Sequence, residues 1–88
     1  MKCNPNFVFR EVHGKFILVP FRRNELGNEP IHLNDVAAVI WKNTDICDTV
    51  DDLLNVITDL YQLEPESAEQ NAVRQFIAQL LEMKLISE

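Results

Sequence analysis

The stretch that most constrains the fold is Ile31–Trp41, because the spacing of its apolar residues changes partway. Ile31 and Leu33 alternate with a polar residue, which is typical of a half-buried strand, whereas the apolar residues from Val36 to Ile40 recur with helical spacing. Asn34 stands at the change, and asparagine is among the best helix N-caps. The stretch therefore predicts a strand that runs directly into a capped helix.

Three short strands are predicted in the first part of the chain, at Phe7–Val12, Lys15–Val19 and Glu29–Leu33. The first two form a hairpin through His13-Gly14, because glycine adopts positive φ at no steric cost. Pro30 lies inside the third strand. Proline donates no backbone N–H, so this strand is predicted at the edge of the sheet, where its free backbone groups must be covered or used.

Three helices are predicted after the strands. The first runs from about Asp35 to Asn43, and Thr49 and Ser67 are the predicted N-caps of the second and third. Apolar residues recur with helical spacing at Val50, Leu53, Leu54, Ile57, Leu60 and Tyr61, and again at Val73, Phe76, Ile77, Leu80 and Leu81. Strands followed by helices indicate one α+β domain over residues 1–88, with the helices on one face of a small sheet.

Length and charge narrow the classes of function. The chain has 88 residues with 47% hydrophobic content, which suits a small globular domain. No apolar run approaches the ~20 residues of a membrane helix, and no signal peptide is recognisable, so a cytoplasmic protein is predicted. The net charge is −6, and residues 34–88 carry eleven acids against three Lys or Arg. This acidic half disfavours nucleic acid, whose phosphates bind clustered cations.

No pattern of an enzyme, a metal site or a cofactor site is found. Paired carboxylates such as Asp51-Asp52 lie at predicted helix starts, where capping and the helix dipole explain them. Cys3 and Cys47 are predicted to be free thiols of a reducing compartment. His13 and His32 lack the spacing of metal ligands. The sequence therefore predicts a protein that is not an enzyme and needs no cofactor.

Two features leave alternatives open. His32 points away from its apolar neighbours, and is either a solvent-facing residue or part of a binding edge. Arg22-Arg23, in the connection before the third strand, is either a solvated doublet or an anchor for an acidic peptide segment.

Four motifs follow one another along nearly the whole chain. They are Ile31–Trp41, Thr49–Leu53, Tyr61–Glu66 and, in the last helix, Val73–Leu80 followed by Leu85-Ile86. This ordered set resembles the PqqD family, which supplies the RiPP recognition element of ribosomal peptide maturation. The resemblance implies a winged-helix-like fold, with a three-stranded antiparallel sheet followed by three helices.

The resemblance also implies a function. Members bind the leader segment of a precursor peptide as an added strand beside the third strand, in the groove between that strand and the last helix. They present it to a modifying enzyme, often a radical SAM maturase, and perform no chemistry themselves. The residues expected to bind peptide are Glu29, Ile31, His32, Leu33, Arg74, Ile77 and Leu81.

Two other functions remain as alternatives: a winged-helix domain that binds nucleic acid, and a small regulatory protein-interaction domain. The charge of the last helix and its approach argues against the first of these. An exposed edge strand also permits a homodimer by edge pairing.

Overall fold

The computed structural model describes residues 1–21 and 29–88 of the chain. The elements, in chain order, are the strands β1 (Lys2–Cys3), β2 (Phe7–Val12), β3 (Lys15–Pro20) and β4 (Ile31–Leu33), the helices α1 (Asp35–Thr44), α2 (Val50–Tyr61) and α3 (Ala68–Glu82), and the strand β5 (Ile86–Ser87). The α+β arrangement that the sequence predicts, a three-stranded antiparallel sheet followed by three helices, is confirmed. The doublet Arg22-Arg23 lies outside the described residues.

The sheet has the order β2-β3-β4, so that β3 is central and β4 is an edge. A two-residue turn joins β2 to β3, and both of its residues have positive φ, 51° at His13 and 77° at Gly14. Positive φ at both positions defines a type I′ turn, whose twist matches that of the flanking strands. The hairpin predicted from Gly14 is therefore confirmed, with His13 sharing the left-handed conformation.

The third strand is shorter than predicted, because it begins at Ile31 and excludes Glu29. The register pairs Leu18 with Ile31, and its continuation sets Pro20 opposite Glu29. Pro20 has no N–H to donate to β4, so the ladder has no bond from β3 at that rung. The missing N–H of Pro20 explains why pairing between β3 and β4 is confined to three residues.

The three predicted N-caps are confirmed. Each cap residue accepts a hydrogen bond from the backbone N–H three residues later: Ala37 to Asn34 Oδ1 (2.8 Å), Asp52 to Thr49 Oγ1 (3.1 Å) and Gln70 to Ser67 Oγ (3.1 Å). In the return direction, Gln70 Oε1 accepts from the N–H of Glu66 at 2.7 Å. This bond satisfies the backbone N–H of Glu66, the residue before the cap, instead of the backbone N–H of Ser67.

The Asn34 cap yields a prediction about stability. Replacing Asn34 with alanine is expected to lower the free energy of unfolding by about 1 kcal/mol, because the first turn of α1 loses its side-chain acceptor. Asn34→Ser keeps an acceptor and serves as the matched control, with a smaller loss. Urea unfolding measures both. Equal stability of the alanine and serine variants would show that the cap contributes nothing.

The core lies between the inner face of the sheet and the three helices. Its largest fully buried side chains are Leu18, Ile40, Leu53, Ile57, Ile77 and Leu85. Trp41 is also buried, with 8% of its surface exposed. At the margin, the Lys42 ammonium lies 5.2 and 5.3 Å from the ring centres of Phe9 and Phe16. Within the described residues, no helix is long and apolar enough to cross a membrane.

A second, two-stranded sheet joins the chain ends and was not expected from the sequence. β1 pairs antiparallel with β5, so that Cys3 lies opposite Ile86. The backbone N–H of Asn4 donates to the carbonyl of Leu85 (2.8 Å), and its side-chain Nδ2 donates to that of Lys84 (3.0 Å). Strands of two residues show no periodicity, so only their tertiary pairing reveals them.

Candidate peptide-binding groove

The exposed edge of β4 presents the backbone of His32. Residues that flank a two-residue hairpin turn form a hydrogen-bonded pair, and such pairs alternate with non-bonded pairs along an antiparallel ladder. Val12 and Lys15 flank the turn and form such a bonded pair. The backbone groups of Ile17, two residues after Lys15, therefore also point to β2. Ile17 stands opposite His32, which makes that pair non-bonded within β3–β4. The N–H and C=O of His32 therefore point outward, away from the sheet.

Continuing the pattern of β4 back to the residue just before it gives Pro30 the same orientation as His32, because residues two apart in extended chain share their direction. It offers its carbonyl oxygen at the edge but has no N–H. The position that lacks a donor thus lies on the outward side of β4, where an added strand would pair. Within the described strand, the edge can both donate and accept only at His32.

A groove of about 180 Å³ lies beside this edge, between β4 and α3. Three residues of α3 or its end form the facing wall: Phe76, Gln79 and Met83. Ala37, Leu80 and Leu85 also line the groove, and all three are buried. Met83 is 44% exposed, so part of the wall is apolar surface that water reaches. Within residues 1–21 and 29–88, the groove thus combines a strand edge that pairs with no other strand and a mostly apolar wall.

The structure brings Ile31, His32 and Leu33 to this groove, as the sequence predicts for the strand side. Glu29 is exposed and precedes the strand. The three residues expected from α3 do not line the groove: Ile77 is fully buried in the core, and Arg74 and Leu81 are absent from its lining. Edge and groove are therefore at the expected place, with different helix residues facing them.

The helix residues that line the groove differ from the predicted ones because of how α3 is rotated about its axis. At about 100° per residue, Ile77 lies within the buried stripe of α3, Arg74 and Leu81 lie on one side of that stripe, and Phe76, Gln79 and Met83 lie on the other. The sequence shows an apolar stripe but does not show which flank meets β4. In the sequence, the one sign that this side of α3 faces another element is the helical spacing of Phe76, Gln79 and Met83. The polar side chain of Gln79 interrupts that apolar pattern.

The two cysteines, Cys3 and Cys47, are free thiols, and neither lines the groove. Burial, followed by the nearby Asp45 carboxylate, raises the pKa of the Cys3 thiol to about 12. Burial also raises the pKa of Cys47. Both therefore remain thiols at neutral pH and are poor nucleophiles. In residues 1–21 and 29–88, no group of three His, Cys, Asp or Glu could hold a metal ion.

Comparison with known proteins identifies the family of the chain. The family model described as Coenzyme PQQ synthesis protein D (PqqD) matches residues 16–86 of the 88-residue chain. The match begins in β3 and includes β4, the helices and the start of β5, so it spans both walls of the groove. No curated protein and no solved structure matched. Proteins of this family are accessory peptide-binding proteins of PQQ synthesis, not catalysts. On this match, the chain belongs to the PqqD family.

Proposed function

We propose that this protein is an adaptor that binds the leader segment of a ribosomally made precursor peptide by strand addition and presents it to a modifying enzyme, such as a radical SAM maturase. The observation that carries the proposal is the outward backbone of His32 at the mouth of the groove between β4 and α3. In strand addition, main-chain hydrogen bonds supply affinity and the pockets for alternate side chains supply specificity. The groove offers both.

The edge limits the main-chain part of the interaction. A peptide strand beside β4 forms two hydrogen bonds with His32, and donates a further one to the carbonyl of Pro30. Each such bond contributes about 0.5–1.5 kcal/mol net. Three bonds alone therefore give weak binding, and the apolar wall of Phe76, Met83 and Leu80 must supply much of the affinity.

Charge distinguishes peptide from nucleic acid as the ligand. From Glu64 to Glu88 the chain carries five glutamates against Arg74 and Lys84. A helix that enters a DNA groove needs the opposite balance, because phosphate contacts dominate affinity. Duplex DNA at low salt is therefore expected not to bind. Tight binding that weakens steeply with salt would replace the peptide proposal with the nucleic-acid alternative.

NMR titration of the ¹⁵N-labelled full chain tests the proposal directly. The probes are synthetic peptides that span the first halves of the short open reading frames next to this protein's gene. The expected amide shifts are concentrated at residues 31–34 and 76–83. A leader that binds with shifts confined to other surfaces would contradict the site, and failure of all these peptides to bind would contradict the function.

Pro30 gives a gain-of-affinity prediction. Pro30→Ala restores an outward N–H at the edge, so a bound leader gains one hydrogen bond. Its affinity is expected to rise about 3- to 10-fold, less any loss from the greater freedom of the free chain. Isothermal titration calorimetry measures the change. Pro5→Ala, a substitution outside the groove, is the control, and equal affinities for both variants would show that the leader does not pair at residue 30.

A further inference from the structure

A second pocket, of about 260 Å³, adjoins the groove at its far end. It lies between the first turn of α1, the end of α2 and the first half of α3, and its apolar lining includes Val36, Tyr61, Leu63, Ala72 and Phe76. Tyr61 is 42% exposed, so the pocket opens to solvent. Hereafter it is the anchor pocket.

The anchor pocket and the groove form one track along α3. Phe76 lines both. The residues that face the track, Glu69, Ala72, Phe76, Gln79 and Met83, are three or four positions apart and so share one face of the helix. They span about 20 Å at 1.5 Å per residue. From Phe76 toward the C-terminal end of α3, the opposite wall of the track is β4. From Phe76 toward the N-terminal end of α3, the opposite walls are α1 and the end of α2.

We propose that the anchor pocket receives one bulky apolar side chain of the same peptide that pairs with β4. This inference rests on the proposed function and adds a specificity element to it. The middle of the groove, at Gln79, and the middle of the pocket, at Ala72, are about 10 Å apart along α3. An extended peptide covers that distance in about three residues. The anchor side chain therefore lies about three residues from the peptide residue opposite His32, on the side where the peptide passes Asn34.

The lining sets the chemistry of that side chain. The pocket surface is apolar except at its edge, where Glu69 supplies the charged group. A leucine, phenylalanine or tyrosine loses much of its apolar surface to water contact there, and truncating it to alanine costs about ten-fold or more in affinity. Glu69 favours a lysine or arginine next to the anchor residue. The peptide segment is thus a bulky apolar residue beside a cation.

The test selects a random 12-residue phage-displayed peptide library on the full chain, and measures synthetic copies of the selected peptides by fluorescence anisotropy. Ala72→Trp fills the anchor pocket, and Ala78→Trp is the matched control. Both alanines are exposed on α3, but Ala78 lines neither the pocket nor the groove. Thermal unfolding verifies that both variants fold. Ala72→Trp is expected to lower affinity at least ten-fold, and Ala78→Trp to leave it unchanged.

A double-mutant comparison identifies the anchor. Alanine scanning of a selected peptide is expected to show one bulky apolar residue, about three positions from the segment that pairs with His32. Its truncation lowers affinity for the wild-type chain and has little further effect with Ala72→Trp. Full additivity of the two losses would overturn the anchor inference.

The outcomes separate this inference from the proposed function. If binding depends on His32 but not on Ala72, the anchor pocket has no role and the groove function stands. If no selected peptide depends on His32, or none is selected, both the groove function and the anchor inference are overturned. The variant His32→Pro, described below, supplies the measurement for His32.

Discussion

Replacing His32 with proline is expected to lower affinity for a bound leader about 30- to 100-fold while the fold is kept. The substitution removes the one N–H that β4 directs outward, so one hydrogen bond is lost and a carbonyl of the peptide is left unpaired. Together these cost about 2–3 kcal/mol. The fold is expected to tolerate proline, because the lost N–H does not pair with β3 and proline is accepted at strand edges.

His32→Ala is the matched control for this variant. It removes the exposed imidazole but keeps the N–H, so its affinity is expected to stay within about three-fold of the wild type. NMR spectra and thermal unfolding of both variants report whether the fold is kept. If alanine weakened binding as much as proline, the side chain would be the contact, and strand addition at this edge would be the wrong mechanism.

Ile77→Ala is expected to cause the largest loss of stability, about 2–5 kcal/mol, because it leaves a cavity at a side chain with no solvent exposure. For a domain of this size, that corresponds to a fall in Tm on the order of 10–30 °C. Arg74→Ala, an exposed position about one turn before Ile77 on α3, is the control and is expected to change stability by less than about 0.5 kcal/mol.

Urea unfolding and leader binding, measured on the same samples, separate the two roles of Ile77. A core role predicts lower stability together with nearly unchanged affinity of the molecules that remain folded. A stable Ile77→Ala variant that binds leader weakly would instead place Ile77 at the ligand. Phe76→Ala, in the groove wall, is expected to show that second pattern, with weaker binding and a smaller loss of stability.

Local chemistry made much of the fold predictable. Asn34, Thr49 and Ser67 are good caps because each places an oxygen within reach of an N–H that the first helical turn cannot pair, and that geometry needs only three residues of chain. The hairpin turn is equally local. The start of β4 is different, since it depends on Pro20 lying opposite residue 29. The strand predicted from the sequence includes Glu29, because no residue close to Glu29 in the sequence indicates that the strand begins later.

For the site as well, local sequence predicts one part and tertiary packing decides the other. The sequence alone determined an edge strand that ends at Leu33, a capped helix directly after it and an amphipathic last helix, because alternation, capping and helical spacing are properties of neighbouring residues. Only the tertiary structure decided that Phe76, Gln79 and Met83 face that edge and that Ile77 is buried. The rotation of a helix about its axis is set by packing against partners distant in the chain, here β4 and the core, and no local pattern contains that information.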